Sequence, residues 1–204
     1  MLFKFTREFL WLVTSAFAVF KIRKAKIVRK KLASVLAFVL SLILVTVSSM
    51  YPVENLFVRF KSPESVFNYA NFGKIKDVVY GKESCMIIFT NRDGVGQHYI
   101  MPKVENGYKI PNQFASKKIF NRFDSSGNFD VYHVSGTQDY YIVGKTLSNS
   151  AEQKIVDCYN RPVKNISYSM GKTETKKVVV YSYIENFNND YSLVINGEKI
   201  KMAK

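Results

Sequence analysis

The longest apolar stretch of the chain lies near its N-terminus. Leu32 to Val47 is nearly all apolar, and the segment extended to Met50 has 19 residues. At about 1.5 Å per residue, a helix of this length covers about 28 Å, close to the hydrocarbon thickness of about 30 Å of a bilayer. The pattern therefore predicts one N-terminal helix, residues 32–50, which is a transmembrane anchor or a signal peptide.

Basic residues flank only one side of this segment. Seven Lys or Arg residues lie between Lys21 and Lys31, whereas Met50 to Leu56 contains Glu54 and no basic residue. The positive-inside rule places residue 31 in the cytoplasm and residue 51 outside. We therefore expect a single-pass protein of the cytoplasmic membrane, with its N-terminus inside and its C-terminal domain outside. A secreted domain is the alternative.

Val47 and Ser49 could form a signal-peptidase site. The enzyme accepts small residues at the first and third positions before the cut, and these two residues fit that pattern. Cleavage there would release the rest of the chain. The sequence that precedes the apolar segment favours an uncleaved anchor instead, provided that it is translated.

Residues 1–31 form a basic segment, predicted to be cytoplasmic or interfacial. It contains a second apolar run, Phe9 to Phe20, whose 12 residues would reach only about 18 Å as a helix. That length is too short for an ordinary span. Three alternatives remain open: a helix lying in the inner leaflet, a strained first span of a hairpin, or a translation start at Val28 that leaves residues 1–27 untranslated.

From Tyr51 onwards the pattern changes to short strands separated by turns. One short helix is predicted, with Ser62 as N-cap, Pro63 at its first position and Gly73 as its stop. The fold class is therefore mainly β, a sandwich or meander with one packed helix. We expect an α+β module at residues 51–126 and a β module at residues 127–204. The predicted strands are 75–80, 85–90, 97–104, 108–110, 117–123, 129–134, 140–147, 154–159, 166–169, 177–184, 191–195 and 200–202.

Composition and charge narrow the class of protein. Apolar residues make up 47% of the 204 residues, which excludes a disordered chain. The net charge is +14, but residues 1–50 alone carry nine basic side chains and one acidic side chain. Membrane topology explains this basic cluster, so we expect no nucleic-acid partner.

The candidate chemistry is sparse. Cys85 and Cys158 could form a disulfide outside the membrane, which would close a loop of about 73 residues and contribute about 4 kcal/mol, or they could be two free thiols. His98 and His133 each lie alone in a separate predicted strand. Asp130, His133 and a serine could be combined into a triad, but a chain with this many serines is expected to offer such a combination by chance. We predict no catalytic residue, no cofactor and no metal site.

Several stretches together resemble a known group of proteins. The basic leader, the apolar segment, the Ser-Pro-Glu-Ser helix, GKIKDVVYGKESCMIIF and the terminal YSLVINGEKI are similar to uncharacterised membrane-anchored exported proteins of low-GC Gram-positive bacteria. The similarity covers about residues 60–202, and its motifs are structural. The resemblance implies an extracytoplasmic β-rich domain near the membrane and no known activity.

These observations lead to one expected function and two alternatives. We expect a membrane-tethered interaction, accessory or sensing module of the cell envelope, without catalytic activity, whose partner is an envelope protein or glycan. A small extracytoplasmic hydrolase that uses His98 or His133 is one alternative. A secreted domain released by signal peptidase is the other.

Overall fold

The computed structural model describes residues 2–24, 27–124, 127–146, 155–169 and 176–202. The chain divides into two units, Met1–Val58 and Arg59–Lys204. The helices are α1 (Leu2–Lys24), α2 (Val28–Met50) and α3 (Pro63–Ala70), with a 3-10 turn at Val53–Leu56. The strands are β1 (Lys74–Tyr80), β2 (Ser84–Thr90), β3 (Gly96–Val104), β4 (Gly107–Tyr108), β5 (Ser116–Asp124), β6 (Gly127–Val134), β7 (Asp139–Thr146), β8 (Ile155–Asp157), β9 (Lys164–Ser169), β10 (Lys176–Glu185), β11 (Ser192–Ile195) and β12 (Glu198–Lys201).

The first unit contains two long helices where the sequence predicted one. Helix α1 runs through all of Leu2–Lys24, although only Phe9 to Phe20 is apolar. This stretch has no Gly or Pro, and its Lys and Arg residues are good helix formers, so the helix continues beyond the apolar run. The predicted helix count is therefore wrong, because the described residues contain three α-helices.

Helix α2 covers the predicted apolar segment and begins earlier, at Val28. Of the described helices, only this one is long and apolar enough, over Val28–Ser48, to cross a membrane, and a signal sequence near the N-terminus would meet the same criteria. Helices α1 and α2 pack together as a hairpin. Between them Ser15 Oγ and Ser41 Oγ lie 2.8 Å apart, and both serines are buried.

Helix α3 is the short packed helix that the sequence predicted. Ser62 is its N-cap, because the Ser65 amide donates a hydrogen bond of 3.2 Å to Ser62 Oγ. Val66 and Phe67 are fully buried in an apolar cluster that α3 shares with β2. The helix thus covers one face of the sheet to which β2 belongs.

The strands form three antiparallel sheets, and the mainly β fold class is confirmed. The first sheet is a meander of β1-β2-β3-β4, the central sheet has the order β5-β6-β7-β10-β9, and the third sheet has the order β12-β11-β8. The strands lie close to their predicted positions. Leu147 and Lys154, assigned from the sequence to strands, and Gly171, assigned to a turn, lie outside the described residues.

Strand β10 of the central sheet is buried on both faces. Its successive residues point in opposite directions, as in any pleated strand. Val179 and Tyr181 belong to an apolar cluster that also contains side chains of β2 and β3 from the first sheet. Val178 and Val180 belong to a cluster that also contains side chains of β11 and β12 from the third sheet. The central sheet therefore joins the other two.

The sequence placed a module boundary between residues 126 and 127. In the structure this position lies between β5 and β6, which pair from Ser116↔Val134 to Asp124↔Gly127. Both strands belong to the central sheet and to the second unit. The long-range pairing of strands thus crosses the predicted boundary.

Replacement of Gly144 tests the packing inside the central sheet. A Cβ at residue 144 of β7 would overlap the ring of Phe129, which is fully buried in β6. We expect Gly144→Ala to lower the free energy of unfolding by about 1–3 kcal/mol, because the ring must shift within a packed core. Urea unfolding of the full chain in detergent, followed by tyrosine near-UV circular dichroism, measures this. The control Lys145→Ala, at an exposed position, should cost less than about 0.5 kcal/mol. Equal effects of the two variants would contradict the expectation.

Candidate functional site

One face of the β5–β6 hairpin carries five polar side chains that we call the polar face: Lys118, Asn121, Asn128, Asp130 and Tyr132. The three β6 residues share one side because alternate strand residues point the same way. Asn121 pairs with Asp130, and Lys118 pairs with Tyr132. A register shift lies between Lys118 and Phe120. Lys118 and Asn121 are three residues apart and would point to opposite faces of a regular strand. The bulge brings both to the same face.

Asp130 is the centre of the hydrogen bonds on the polar face. Asn121 Nδ2 donates to Asp130 Oδ1 over 2.6 Å and to Asn128 Oδ1 over 2.8 Å. Lys118 Nζ lies 3.0 Å from Asp130 Oδ1, and Tyr132 OH donates to Asp130 Oδ2 over 3.2 Å. The Asp130 side chain is 17% exposed and that of Lys118 is 47% exposed, so the network is open to solvent on its lysine side.

His98 of β3 adjoins the polar face from the first sheet. Its ring centroid lies 4.7 Å from that of Tyr132. Burial lowers the pKa of His98 to about 4, with Lys145 and Lys118 acting in the same direction and Asp130 opposing them. Burial also raises the pKa of Tyr132, and Asp130 adds to this effect. At neutral pH the site therefore holds a neutral imidazole beside a protonated phenol.

The arrangement offers hydrogen bonds of both polarities. Two carboxamides and a neutral imidazole can each donate and accept, an ammonium donates, and a carboxylate accepts. Such a set can bind hydroxyl or amide groups of a polar ligand. Within the described residues, no group of three or more His, Cys, Asp or Glu residues is placed to hold a metal ion.

The two histidines considered from the sequence lie in different surroundings. His133 Nε2 lies 2.9 Å from Thr137 O, and its ring stacks on Tyr140 with centroids 4.6 Å apart. Asp130 and His133 are three residues apart on one strand, so they point to opposite faces. The structure thus associates Asp130 with His98 through Tyr132 and leaves His133 apart.

Sequence reasoning did not find Lys118, Asn121 or Asn128. Their signal is the polar alternation on the two strands of one hairpin, which also describes an ordinary solvated sheet face. The bulge that aligns Lys118 with Asn121 has no marker in the sequence.

A second polar cluster is buried and joins two sheets. Asp139 of β7 is fully buried, and its Oδ2 accepts hydrogen bonds from the Glu83 amide over 2.8 Å and from Ser84 Oγ over 2.6 Å. Its Oδ1 accepts one from Tyr183 OH over 2.9 Å. Burial and this bond raise the pKa of Tyr183 to about 12, so the phenol remains a donor. The carboxylate thus holds the β1–β2 turn against the central sheet.

Two further carboxylates also have structural partners. Asp77 of β1 accepts from Lys164 Nζ and Tyr181 OH, each over 2.9 Å. Burial raises its pKa, but these hydrogen bonds outweigh burial and the net pKa is lowered. Asp157 accepts from Arg161 Nε over 2.6 Å and closes the loop after β8. We assign both to the stability of the fold.

Cys85 and Cys158 are both free thiols in the structure. Cys85 is buried in β2 of the first sheet, whereas Cys158 follows β8 of the third sheet and is exposed. The central sheet contacts both of these sheets and lies between the two cysteines, so the disulfide considered from the sequence is not formed.

The candidate cleavage site lies in the last turn of α2. Val47 and Ser49 are helical, and the amide of the C-cap residue Tyr51 donates to Val47 O over 2.9 Å. Proteolysis favours exposed, loosely held backbone, so a cut after Ser49 requires this turn to unwind first. Cleavage at this site stays a prediction.

Removal of the Asp139 carboxylate is expected to be strongly destabilising. Asp139→Ala leaves a buried hydroxyl, a phenol and an amide without their acceptor, which should cost about 3–5 kcal/mol. Asp190→Ala, at an exposed turn residue, is the matched control and should cost less than about 0.5 kcal/mol. Urea unfolding in detergent measures both, and a small effect of Asp139→Ala would contradict the assigned role.

Thiol reactivity checks the two cysteine environments. Burial raises the pKa of the Cys85 thiol to about 12, so it should react with an aromatic disulfide reagent only after unfolding. Cys158 should react in the folded chain, and Cys158→Ser should abolish this fast reaction. A disulfide between the two would instead leave no reactive thiol before or after unfolding.

No protein-family model, curated protein or solved structure matches the chain. Its proposed function therefore depends on the polar face and on α2.

Proposed function

We propose that the second unit is an interaction, accessory or sensing module without catalytic activity, tethered outside the cytoplasmic membrane by α2. The observation that carries this proposal is the polar face, a set of hydrogen-bonding side chains on the paired strands β5 and β6. Its partner is a glycan or a protein of the cell envelope.

The rigidity of the polar face supports binding. Phe129 and Val131, which alternate with Asn128, Asp130 and Tyr132 along β6, are fully buried in the core. The three β6 side chains of the polar face are therefore attached to a packed strand, and Asn121 of β5 is held to two of them by hydrogen bonds. Such preorganisation reduces the entropy lost on binding.

The orientation of α2 supports an extracytoplasmic location. The basic residues precede the apolar segment, so residue 31 lies inside and residue 51 outside. The second unit follows on the outer side. The single-pass arrangement predicted from the sequence, with the N-terminus inside, fits this orientation.

Capture from membranes and from isolated cell-wall glycan tests the binding role. We expect the full chain to retain a glycan or an envelope protein, and Asn121→Ala/Asp130→Ala to reduce the capture at least about tenfold, equivalent to about 1.4 kcal/mol. Lys82→Ala/Glu185→Ala is the matched control, because it removes an exposed ion pair of 3.4 Å elsewhere in the same unit. Failure of the unmodified chain to capture either material, or equal losses in both variants, would refute the proposal.

A small extracytoplasmic hydrolase is the second candidate. The observation that favours it is the neutral imidazole of His98 beside Tyr132 and near Asp130. Within the described part of the chain, however, neither His98 nor His133 hydrogen-bonds a side-chain hydroxyl or thiol. Turnover of the captured material that is lost in His98→Gln, with capture retained, would favour this candidate.

Cell fractionation with N-terminal sequencing tests the tether. We expect the chain in the membrane fraction, starting before residue 28. A chain in the medium that starts at Met50 would instead show a secreted domain cut after Ser49.

A further inference from the structure

We propose that α1 crosses the membrane together with α2, as a helical hairpin whose basic turn is cytoplasmic and whose two ends lie outside. This inference rests on the proposed anchoring by α2. It differs from the single-pass arrangement in the side of the N-terminus and in what surrounds α1.

The two helices have matching lengths. Each has 23 residues, which corresponds to about 34 Å, so the backbone of α1 reaches as far as that of α2, although the apolar run of α1 covers only Phe9 to Phe20. The three residues between them allow only an antiparallel neighbour. A hairpin of this kind brings the start of α1 and the end of α2 to the same side.

A buried polar contact sets the depth of α1. Ser41 is the central residue of the apolar segment 32–50, so it lies at the bilayer midplane if that segment spans. Ser15 Oγ lies 2.8 Å from Ser41 Oγ, and both side chains are buried between the helices. Each hydroxyl also lies within hydrogen-bond distance of a backbone oxygen of its own helix, Trp11 O for Ser15 and Phe38 O for Ser41, so one of the two serines donates across the helices in place of that bond. Contacts between serine side chains across helices are typical of membrane helix pairs. A helix lying in the inner leaflet would keep Ser15 about 15 Å away from this depth.

The outer surface of the hairpin is apolar on both helices. Large apolar side chains of α1 and α2 are exposed by a third or more of their area. A surface of this extent requires a partner, and its length and apolar character fit the acyl chains of a bilayer. The exposed α1 members are Phe9, Leu12, Val13, Phe17 and Phe20, and those of α2 include Leu32, Leu36, Val39, Leu40 and Ile43.

The charge distribution gives the orientation. Seven Lys or Arg residues lie between Lys21 and Lys31, at the turn of the hairpin, whereas the other end of α1 has Lys4, Arg7 and the acidic Glu8. The positive-inside rule therefore places the turn in the cytoplasm and residues 2 and 51 outside.

The charged ends of α1 can be accommodated. Lys21 is six residues from Ser15, hence about 9 Å from the midplane, and Glu8 and Arg7 are seven and eight residues away, about 10 and 12 Å on the other side. Glu8 lies four residues after Lys4, the spacing at which opposite charges on a helix attract each other. Long basic side chains reach the interface from such depths by extending along the helix. α1 is then a short span supported along its length by α2.

Cross-linking tests the depth of α1. The full chain carries Cys158→Ser to remove the exposed thiol, and Ser15→Cys/Ser41→Cys is oxidised in intact membranes with copper phenanthroline. We expect an intramolecular disulfide to form at least about tenfold faster than in the control Leu12→Cys/Ser41→Cys, because Leu12 is 62% exposed on α1. Equal, slow rates in the two variants would overturn the inference.

Labelling with a membrane-impermeant maleimide tests the side of the N-terminus, in the same Cys158→Ser background. We expect Leu2→Cys to react in intact cells and Ile27→Cys to react only after permeabilisation. Protection of Leu2→Cys in intact cells would overturn the two-span arrangement, as would a mature chain that lacks residues 2–24.

The native Cys158 serves as a separate reporter. If it labels in intact cells while Leu2→Cys does not, only the hairpin fails; if it labels only after permeabilisation, the proposed extracytoplasmic function fails.

Discussion

Burial of the central sheet on both faces is the constraint on which the second unit depends. Alternate residues of β10 enter two different apolar clusters, one shared with the first sheet and one shared with the third. Neither outer sheet could keep its apolar face out of water without this shared layer. Because backbone polar groups of a doubly buried strand must all be paired, the neighbours of β10 on both sides are required as well. The same requirement explains the buried Asp139. It accepts hydrogen bonds from groups at the β1–β2 turn that have no partner in the hydrogen bonds between strands.

The polar face is located where this burial ends. On β6, one side of the strand is fully buried, while the other side carries Asn128 and Asp130 near the border of the inter-sheet core. His98 lies at that border, since its ring contacts Tyr132, which packs on the cluster between the first and central sheets. Partial burial keeps the imidazole neutral, and the open lysine side leaves the network accessible. Accessible hydrogen-bonding groups therefore lie on a strand whose other side is packed in the core, which is the basis of the proposed interaction surface.

The first unit differs from the second in that its helices expose large apolar side chains. Lipid chains are as apolar as the helix side chains, so burial of apolar surface does not favour association of helices in a bilayer. Packing and polar contacts between helices therefore decide which faces meet. The Ser15–Ser41 contact is of this kind. A segment with charged residues near both ends can then be embedded beside a more apolar neighbour, although its own apolar run is short.

Most of the secondary structure follows from local pattern. The apolar segment, the Ser62-capped helix and nearly every strand were predictable, since caps, turn residues and apolar periodicity act over a few residues. The full length of α1 was missed, because an apolar run marks burial and not where a helix ends. The candidate site was missed for a different reason. Contacts between residues far apart in the chain decide which strands pair and which face of β6 stays open. The same contacts decide that a bulge aligns Lys118 with Asn121, and that Cys85 and Cys158 lie on opposite sides of the central sheet. The local sequence determines where each helix and strand forms and which of its faces is apolar. Only the burial of apolar faces shared between sheets determines which strands and sheets come together.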